Sequence, residues 1–187
     1  MQRRGTTTKD IVYIALFAAF MAALGIFPPV MLPLIGVPVT AQSMGPMLAG
    51  AILGARRGAL SILLFLALVA VGLPLLAAGR GGLGVFFGPT AGYLFGWVAA
   101  AFAVGALHEW GWNRLNVVTS FVFCALGGIV VLYAIGIPWT AVNVGLPLTK
   151  TAIASAAFIP GDVVKAGLAA IVAVSVKRSY PIIQRTA

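Results

Sequence analysis

Proline and glycine divide this chain into six apolar stretches, each about as long as an α-helix must be to cross a bilayer, and that segmentation leaves few folds open. A hydrocarbon core roughly 30 Å thick takes about 17–25 consecutive apolar helical residues. The stretches fall at 11–28, 38–55, 58–76, 89–107, 117–137 and 160–176. Thr8 suits an N-cap for the first, Pro89 suits the start of the fourth, and Pro138 is expected to end the fifth. Composition agrees: 61% of the residues are hydrophobic and 8% are charged, against about 45–50% and 25% in a soluble domain. The expectation is an all-α integral membrane protein, a single domain over 1–187, with six transmembrane helices.

The basic residues orient it. Arg3, Arg4 and Lys9 precede the first stretch, Arg56 and Arg57 link the second and third, Arg114 links the fourth and fifth, and Lys177, Arg178 and Arg185 follow the sixth. Nine of the twelve basic residues therefore share one side. The positive-inside rule makes that side cytoplasmic and puts both termini there. The first stretch has the basic start of a signal peptide, but it runs on past Ala23 to Pro29 without a polar cleavage region, so it reads as retained. The net charge of +9 does not indicate a nucleic-acid partner, because no basic patch interleaved with aromatics carries it. Cys124 is the one cysteine and lies in an apolar run, so there is no disulfide framework and no thiolate metal site. One histidine and three acids leave little for a catalytic metal or an acid/base dyad. The sequence GRGGLG at 79–84 has the Gly-x-Gly-x-x-Gly spacing but not the strand and βαβ context of a nucleotide fingerprint, and no Walker A motif occurs, so no cofactor is expected.

Three cations remain: Arg80, Lys150 and Lys165. Asp162 and Lys165, three residues apart in FIPGDVVKAGLAAIVAVSV, share one helix face. Ionisable groups in membrane spans are costly and usually mark a substrate or ion path. A helix beginning at Pro160 covers about 27 Å by Lys177, which places the pair at the outer end rather than mid-bilayer. Arg80 and Lys150 fall in outer connections of the same layer, among GVPVTAQ (36–42), AAGRGGLGVFFGPTAGY (77–93) and NVGLPLTK (143–150). One reading is an outward-facing pocket for a small polar molecule, lined by irregular backbone of the kind tolerated around a cavity. The other is a pair that neutralises itself, with Asp162 favoured by a positive helix N-terminus, and solvated loop cations at Arg80 and Lys150.

Small residues also recur every four positions, at Gly84, Gly88, Gly92 and Gly96 and at Ala15, Ala19 and Ala23. Such stripes let helices pack closely. Gly92, beside Thr90 and Tyr93, suits room for a substrate equally well. The alanine stripe suits either its own bundle or a second protein, and periodicity does not separate the two.

At FFGPTAGYLFG (86–96) and FIPGDVVKAGLAA (158–170) the chain resembles the BioY family, the biotin-specific substrate-capture (S) components of energy-coupling factor (ECF) transporters. The GLP turn at 72–74, GGLG at 81–84 and GVPVTAQ at 36–42 extend the resemblance over essentially the whole chain. It departs at Ala91, where the family more often has glycine, and the extra methyl tightens packing there. The resemblance implies a six-span vitamin-binding subunit, not an enzyme, in a bacterial or archaeal cytoplasmic membrane. A membrane coupling (T) subunit and two ABC-type ATPases would deliver the vitamin. It further implies that Ala15 and Ala19 dock on the coupling subunit, that Asp162 and Lys165 belong to the biotin site, and that the loop between the first two spans covers the ligand, with Thr40 and Gln42 near it.

The chemistry of biotin suits these groups. Asp162 can accept from a ureido N–H and Lys165 can donate to the ureido carbonyl, in charge-assisted bonds about twice as strong as neutral ones. Phe86, Phe87 and Tyr93 suit the walls, and Arg80, or Lys150 in its place, suits the carboxylate. The opposite placement, with Lys165 on the carboxylate, satisfies the same charges. Within this architecture the alternative is an S component for another small vitamin. A metal cargo is disfavoured by the missing ligands, an enzyme by the missing catalytic groups, and a purely structural protein would need no pocket.

Overall fold

Ten residues of α2, Met44–Leu53, form the centre of the bundle. Every residue from Gly45 to Leu53 is buried, as expected of a helix that is apolar all round. Around it stand α1 (Thr8–Leu24), α3 (Ala55–Ala70), α4 (Ala91–Trp110), α5 (Val117–Val144) and α6 (Leu148–Ser179). The structure is a computed structural model describing residues 7–31 and 37–183. Arg3, Arg4, Gly36 and Arg185 lie outside the described residues. An antiparallel pair of two-residue strands, β1 (Val30–Met31) and β2 (Pro38–Val39), is the only sheet among the described residues. Three helices, α4, α5 and α6, are long and apolar enough to cross a membrane.

The boundaries differ from the sequence expectation where tertiary contacts outweigh punctuation. The first stretch is capped by Thr7, one residue before Thr8, through a capping box: Thr7 Oγ1 accepts from Asp10 N at 3.3 Å and the Asp10 carboxylate accepts from Thr7 N at 2.9 Å. It ends at Leu24 rather than Pro28. The stretch 38–55 is not a span-length helix; after a 3-10 turn at Ala41–Ser43 its α-helical part is only α2, about 15 Å long at 1.5 Å per residue. Gly54 alone joins α2 to α3, at φ 87°, a left-handed conformation that suits glycine. The Glu109 side chain caps the new helix, with Oε1 accepting from Ala55 N at 2.9 Å.

Pro138 does not end the fifth helix, which runs on to Val144 and stops at Gly145, φ 72°. Its added turns are anchored to the loop before α4. Trp139 Nε1 donates to Gly88 O at 3.0 Å, Thr140 Oγ1 to Pro89 O at 2.8 Å and Asn143 Nδ2 to Phe87 O at 2.8 Å. Those bonds offset the one that proline cannot make. Midway, a π-helical turn at Leu126–Val131 brings Gly127 against Val104 and Gly128 against Met47. The connection to the last span is itself helical: α6 begins at Leu148 and passes a 3-10 turn at Ala156–Phe158 just before Pro160.

The glycine stripe divides at the start of α4. Gly84 and Gly88 precede the helix and touch nothing a side chain would meet. Gly92 and Gly96 seat Trp139 and Leu132 of α5, so Gly92 serves helix packing and not substrate room. One buried cluster gathers Met21, Ile62, Phe65, Val69, Trp97 and Leu132, with the Phe65 and Trp97 rings 6.4 Å apart. A second holds Met47, Leu53, Val104 and Cys124.

The described basic residues other than Arg80, Lys150 and Lys165 collect at one end. Arg57 pairs with Asp10 at 3.3 Å and donates to Ile182 O at 3.3 Å. Lys177 Nζ donates to Trp112 O at 2.6 Å and lies 5.1 Å from the centre of the Trp112 ring. Nearby, buried His108 donates from Nδ1 to Val104 O and accepts at Nε2 from Ser120 Oγ, each at 2.8 Å. A carbonyl only accepts, so Nδ1 carries a proton, and the neutral ring is the form in which Nε2 accepts from Ser120.

Candidate functional site

At the end away from the Arg57–Lys177 cluster, the helices part around a cavity with about 550 Å3 of atom-free space, its opening to solvent included. All seven residues expected from the sequence line it: Thr40, Gln42, Arg80, Thr90, Tyr93, Asp162 and Lys165.

Asp162 and Lys165 face it from α6, with Lys165 Nζ 2.9 Å from Asp162 Oδ1. Two residues that sequence reasoning missed complete the arrangement. Ser43, just before α2, accepts from Lys165 Nζ at 2.8 Å and donates to Asp162 Oδ1 at 3.1 Å. Tyr133, on α5, donates from its phenol to Asp162 Oδ2 at 2.7 Å. The helical run upstream reaches back to Leu148, so a free helix N-terminus is not what holds the Asp162 carboxylate; side chains from three elements are. No buried side-chain N or O among the described residues lacks a partner, as a buried polar network requires.

Arg80 enters from a tight turn. Leu76 and Arg80 exchange backbone hydrogen bonds of 3.0 and 3.2 Å, and Ala78 and Gly79 between them take φ of 63° and 67°. Arg80 Nε donates to Ala77 O at 3.3 Å. Partial burial pulls the Arg80 guanidinium below its ordinary pKa, though the group stays charged at any accessible pH. Among the described residues no carboxylate pairs with it.

Gln42 lines the cavity but spends its amide elsewhere. Both of its N–H donors are taken, by Met21 O at 3.0 Å and Leu75 O at 2.9 Å, and its oxygen accepts from Ala77 N at 2.9 Å. It therefore clamps the end of α1 to the turn that bears Arg80. Tyr93 OH bonds to Ser155 Oγ at 3.1 Å, and its ring meets Phe158 and Tyr133 nearly edge-on, each at 6.2 Å. Gly136 makes room for that ring: a Cβ there would sit 2.5 Å from it.

The walls differ from expectation. Phe86 packs on Phe95 at 6.0 Å and Phe87 is 75% exposed, and neither lines the cavity. Trp97, Tyr133 and Phe158 take their place. Lys150 is exposed on the first turn of α6 and is not in the lining, which removes it as a substitute for Arg80. Ala15 and Ala19 are exposed on α1 beside Ile11, Val12, Leu16 and Phe20, whereas Ala18, Met21 and Leu24 face the bundle. The Ala15–Ala19 stripe is thus not consumed by packing within the chain.

A sequence model described as the BioY family matches residues 1–182. The biotin transporter BioY of Rhizobium etli is 50% identical over 182 residues, covering 95% of this chain and 97% of that one. The biotin transporter BioY of Rhodobacter capsulatus is 47% identical over 183 residues, covering 92% and 95%. A crystal structure of the S-component for biotin from an ECF-type ABC transporter superposes with a TM-score of 0.89 at 30% identity, covering 97% of each chain. Whole-length agreement in sequence and in backbone places this membrane protein among relatives of one kind, and the chain belongs to the BioY family.

Proposed function

We propose that this protein is the biotin-binding S component of an ECF transporter, a multi-pass subunit of the cytoplasmic membrane that captures biotin from outside. The observation that carries this reading is the donor and acceptor balance of the cavity. Lys165 has three N–H donors and gives two, to Asp162 and Ser43. The Asp162 carboxylate has about four acceptor sites, and three are filled, by Lys165, Ser43 and Tyr133. One donor and one acceptor remain side by side on a pair with no net charge. That matches the C=O and N–H edge of a cyclic urea and suits a carboxylate poorly. Arg80, unpaired among the described residues, supplies the charge that a ligand carboxylate needs. Of the two orientations open at the level of sequence, the structure therefore supports the ureido ring at Asp162–Lys165 and the carboxylate at Arg80. Trp97, Tyr93 and Phe158 suit the ring system between them.

Six membrane crossings, with both termini and the Arg57–Lys177 end in the cytoplasm, turn the cavity outward. Energy comes from a membrane coupling subunit and two ABC-type ATPases, and the exposed Ala15–Ala19 stripe is where the coupling subunit docks; small residues let two helices approach closely. Nucleic acid has no place in this scheme. Isothermal calorimetry on the detergent-purified chain tests the ligand: saturable heat with biotin is expected, and none at concentrations well above the protein sinks the reading. The Ala15→Trp/Ala19→Trp double variant should bind biotin within about twofold of wild type yet fail to co-purify with the coupling subunit. Intact co-purification refutes the docking assignment.

A further inference from the structure

Tyr133 does not need to touch a ligand to decide which ligand fits. Its phenol donates to Asp162 Oδ2 at 2.7 Å, a length typical of a charge-assisted O–H···O bond. The ring has little freedom to swing away. Tyr93 meets it edge-on at 6.2 Å and 84° from α4, and Tyr93 is itself fixed by its bond to Ser155 on α6. The other carboxylate oxygen, Oδ1, already serves Lys165 and Ser43. With Tyr133 in place, Oδ2 keeps one open acceptor site beside one open N–H of Lys165. Without it, Oδ2 would present two acceptor sites to the cavity, and the site would lean toward ligands that only donate.

We propose that Tyr133 is a specificity-determining positioning residue: by filling one acceptor site of Asp162, it tunes the Asp162–Lys165 pair to a neutral urea edge and against a cationic guanidine edge of the same shape. This rests on the biotin reading and names the chemistry that the site selects against. Ser43 differs in kind. It donates to Asp162 and accepts from Lys165, so removing its hydroxyl releases one acceptor and one donor together and leaves their balance unchanged. Its proton also has Thr40 O as a second acceptor at 3.3 Å.

The test compares biotin with its analogue in which the ureido oxygen is replaced by an imino nitrogen, used in its protonated guanidino form. Calorimetry on the full detergent-purified chain gives the ratio of the two affinities. In Tyr133→Phe, which keeps the ring and its packing, the preference for biotin should fall roughly tenfold, a step of about 1.4 kcal/mol. In Ser43→Ala both affinities should fall and the ratio should hold. Loss of packing alone would weaken both ligands alike, so the ratio is the diagnostic quantity. Tyr133→Met, apolar and adaptable, reads the same ratio if the phenylalanine variant is not monodisperse. An unchanged ratio in the Tyr133 variants, or an equal change in Ser43→Ala, overturns the role of Tyr133 while biotin binding by the wild type stands. No wild-type binding overturns the biotin reading and this inference together.

Discussion

Asp10–Arg57 and Asp162–Lys165 are both carboxylate–cation contacts, at 3.3 and 2.9 Å, yet they are built for different ends. Asp10 is a local device. It caps α1 through Thr7 and reaches Arg57 with side chains that are still 24% and 25% exposed. Pairs of that kind contribute about 0–1 kcal/mol. Asp162 and Lys165 retain only 6% and 15% exposure and are held by hydroxyls from two other elements. Burying such ions costs several kcal/mol each, and a buried pair is weak evidence for stability. A chain so sparing of charge places this pair beside a cavity and an arginine that no carboxylate pairs with among the described residues. The difference teaches that the first pair serves the architecture, whereas the second stands where the proposed ligand site needs it.

Substitutions can break or sharpen that contrast. The largest effect is expected for Asp162→Asn, which should weaken biotin binding by at least about 100-fold while leaving the protein inserted and monodisperse, given about 1.5–3 kcal/mol for each hydrogen bond to a charged group. Calorimetry together with size-exclusion chromatography checks both halves. If Asp162→Asn unfolds the protein and Asp162→Leu/Lys165→Leu restores fold and binding, the second pair is architectural too and the contrast collapses. Next in size, Arg80→Gln should cost roughly 30-fold in affinity for biotin but less than about threefold for its uncharged carboxamide, as the loss of one charge-assisted contact implies. Equal losses for the two ligands would detach Arg80 from the carboxylate. The smallest effect is expected at the other pair. Asp10→Ala should lower stability by less than about 2 kcal/mol, the sum of a cap and a surface pair, with biotin affinity unmoved. A tenfold change in affinity there would tie the two ends of the molecule together.

What the sequence disclosed followed from how unusual each residue is in its surroundings. A charge in an apolar run is conspicuous, so Asp162 and Lys165 stood out, and Arg80 did so by its failure to join the other basic residues. Ser43 and Tyr133 are ordinary residues for their segments, and their bonds to Asp162 span 119 and 29 positions. No local pattern encodes such distances. Tyr133, as the polar aromatic of a long apolar stretch, was the one signal of this kind within reach. Gln42 lines the cavity, but its amide serves backbone groups of two distant segments, which only the fold brings near.

Helix starts near Thr8, Pro89 and Val117 were legible in the sequence, and the end of α5, which neighbours decide, was not. That helix ends at Gly145, in a left-handed conformation that sequence reasoning did not single out. Pro138 did not end it, because Trp139, Thr140 and Asn143 bind the loop before α4. The shortness of α2 was hidden for a similar reason: residues 38–43, PVTAQS, carry no charge or glycine to mark a break, but Val39, Thr40, Gln42 and Ser43 turn aside to line the cavity.

The burial of Cys124 in the second core cluster has a practical consequence. With its only native thiol shut away from solvent, the protein presents almost no background to maleimide reagents without any cysteine having to be removed. A cysteine introduced at Ile26 or Phe27, both exposed just after α1, would carry a fluorescent or spin label on its own. The surroundings of that label with and without biotin could then be compared in an otherwise native chain.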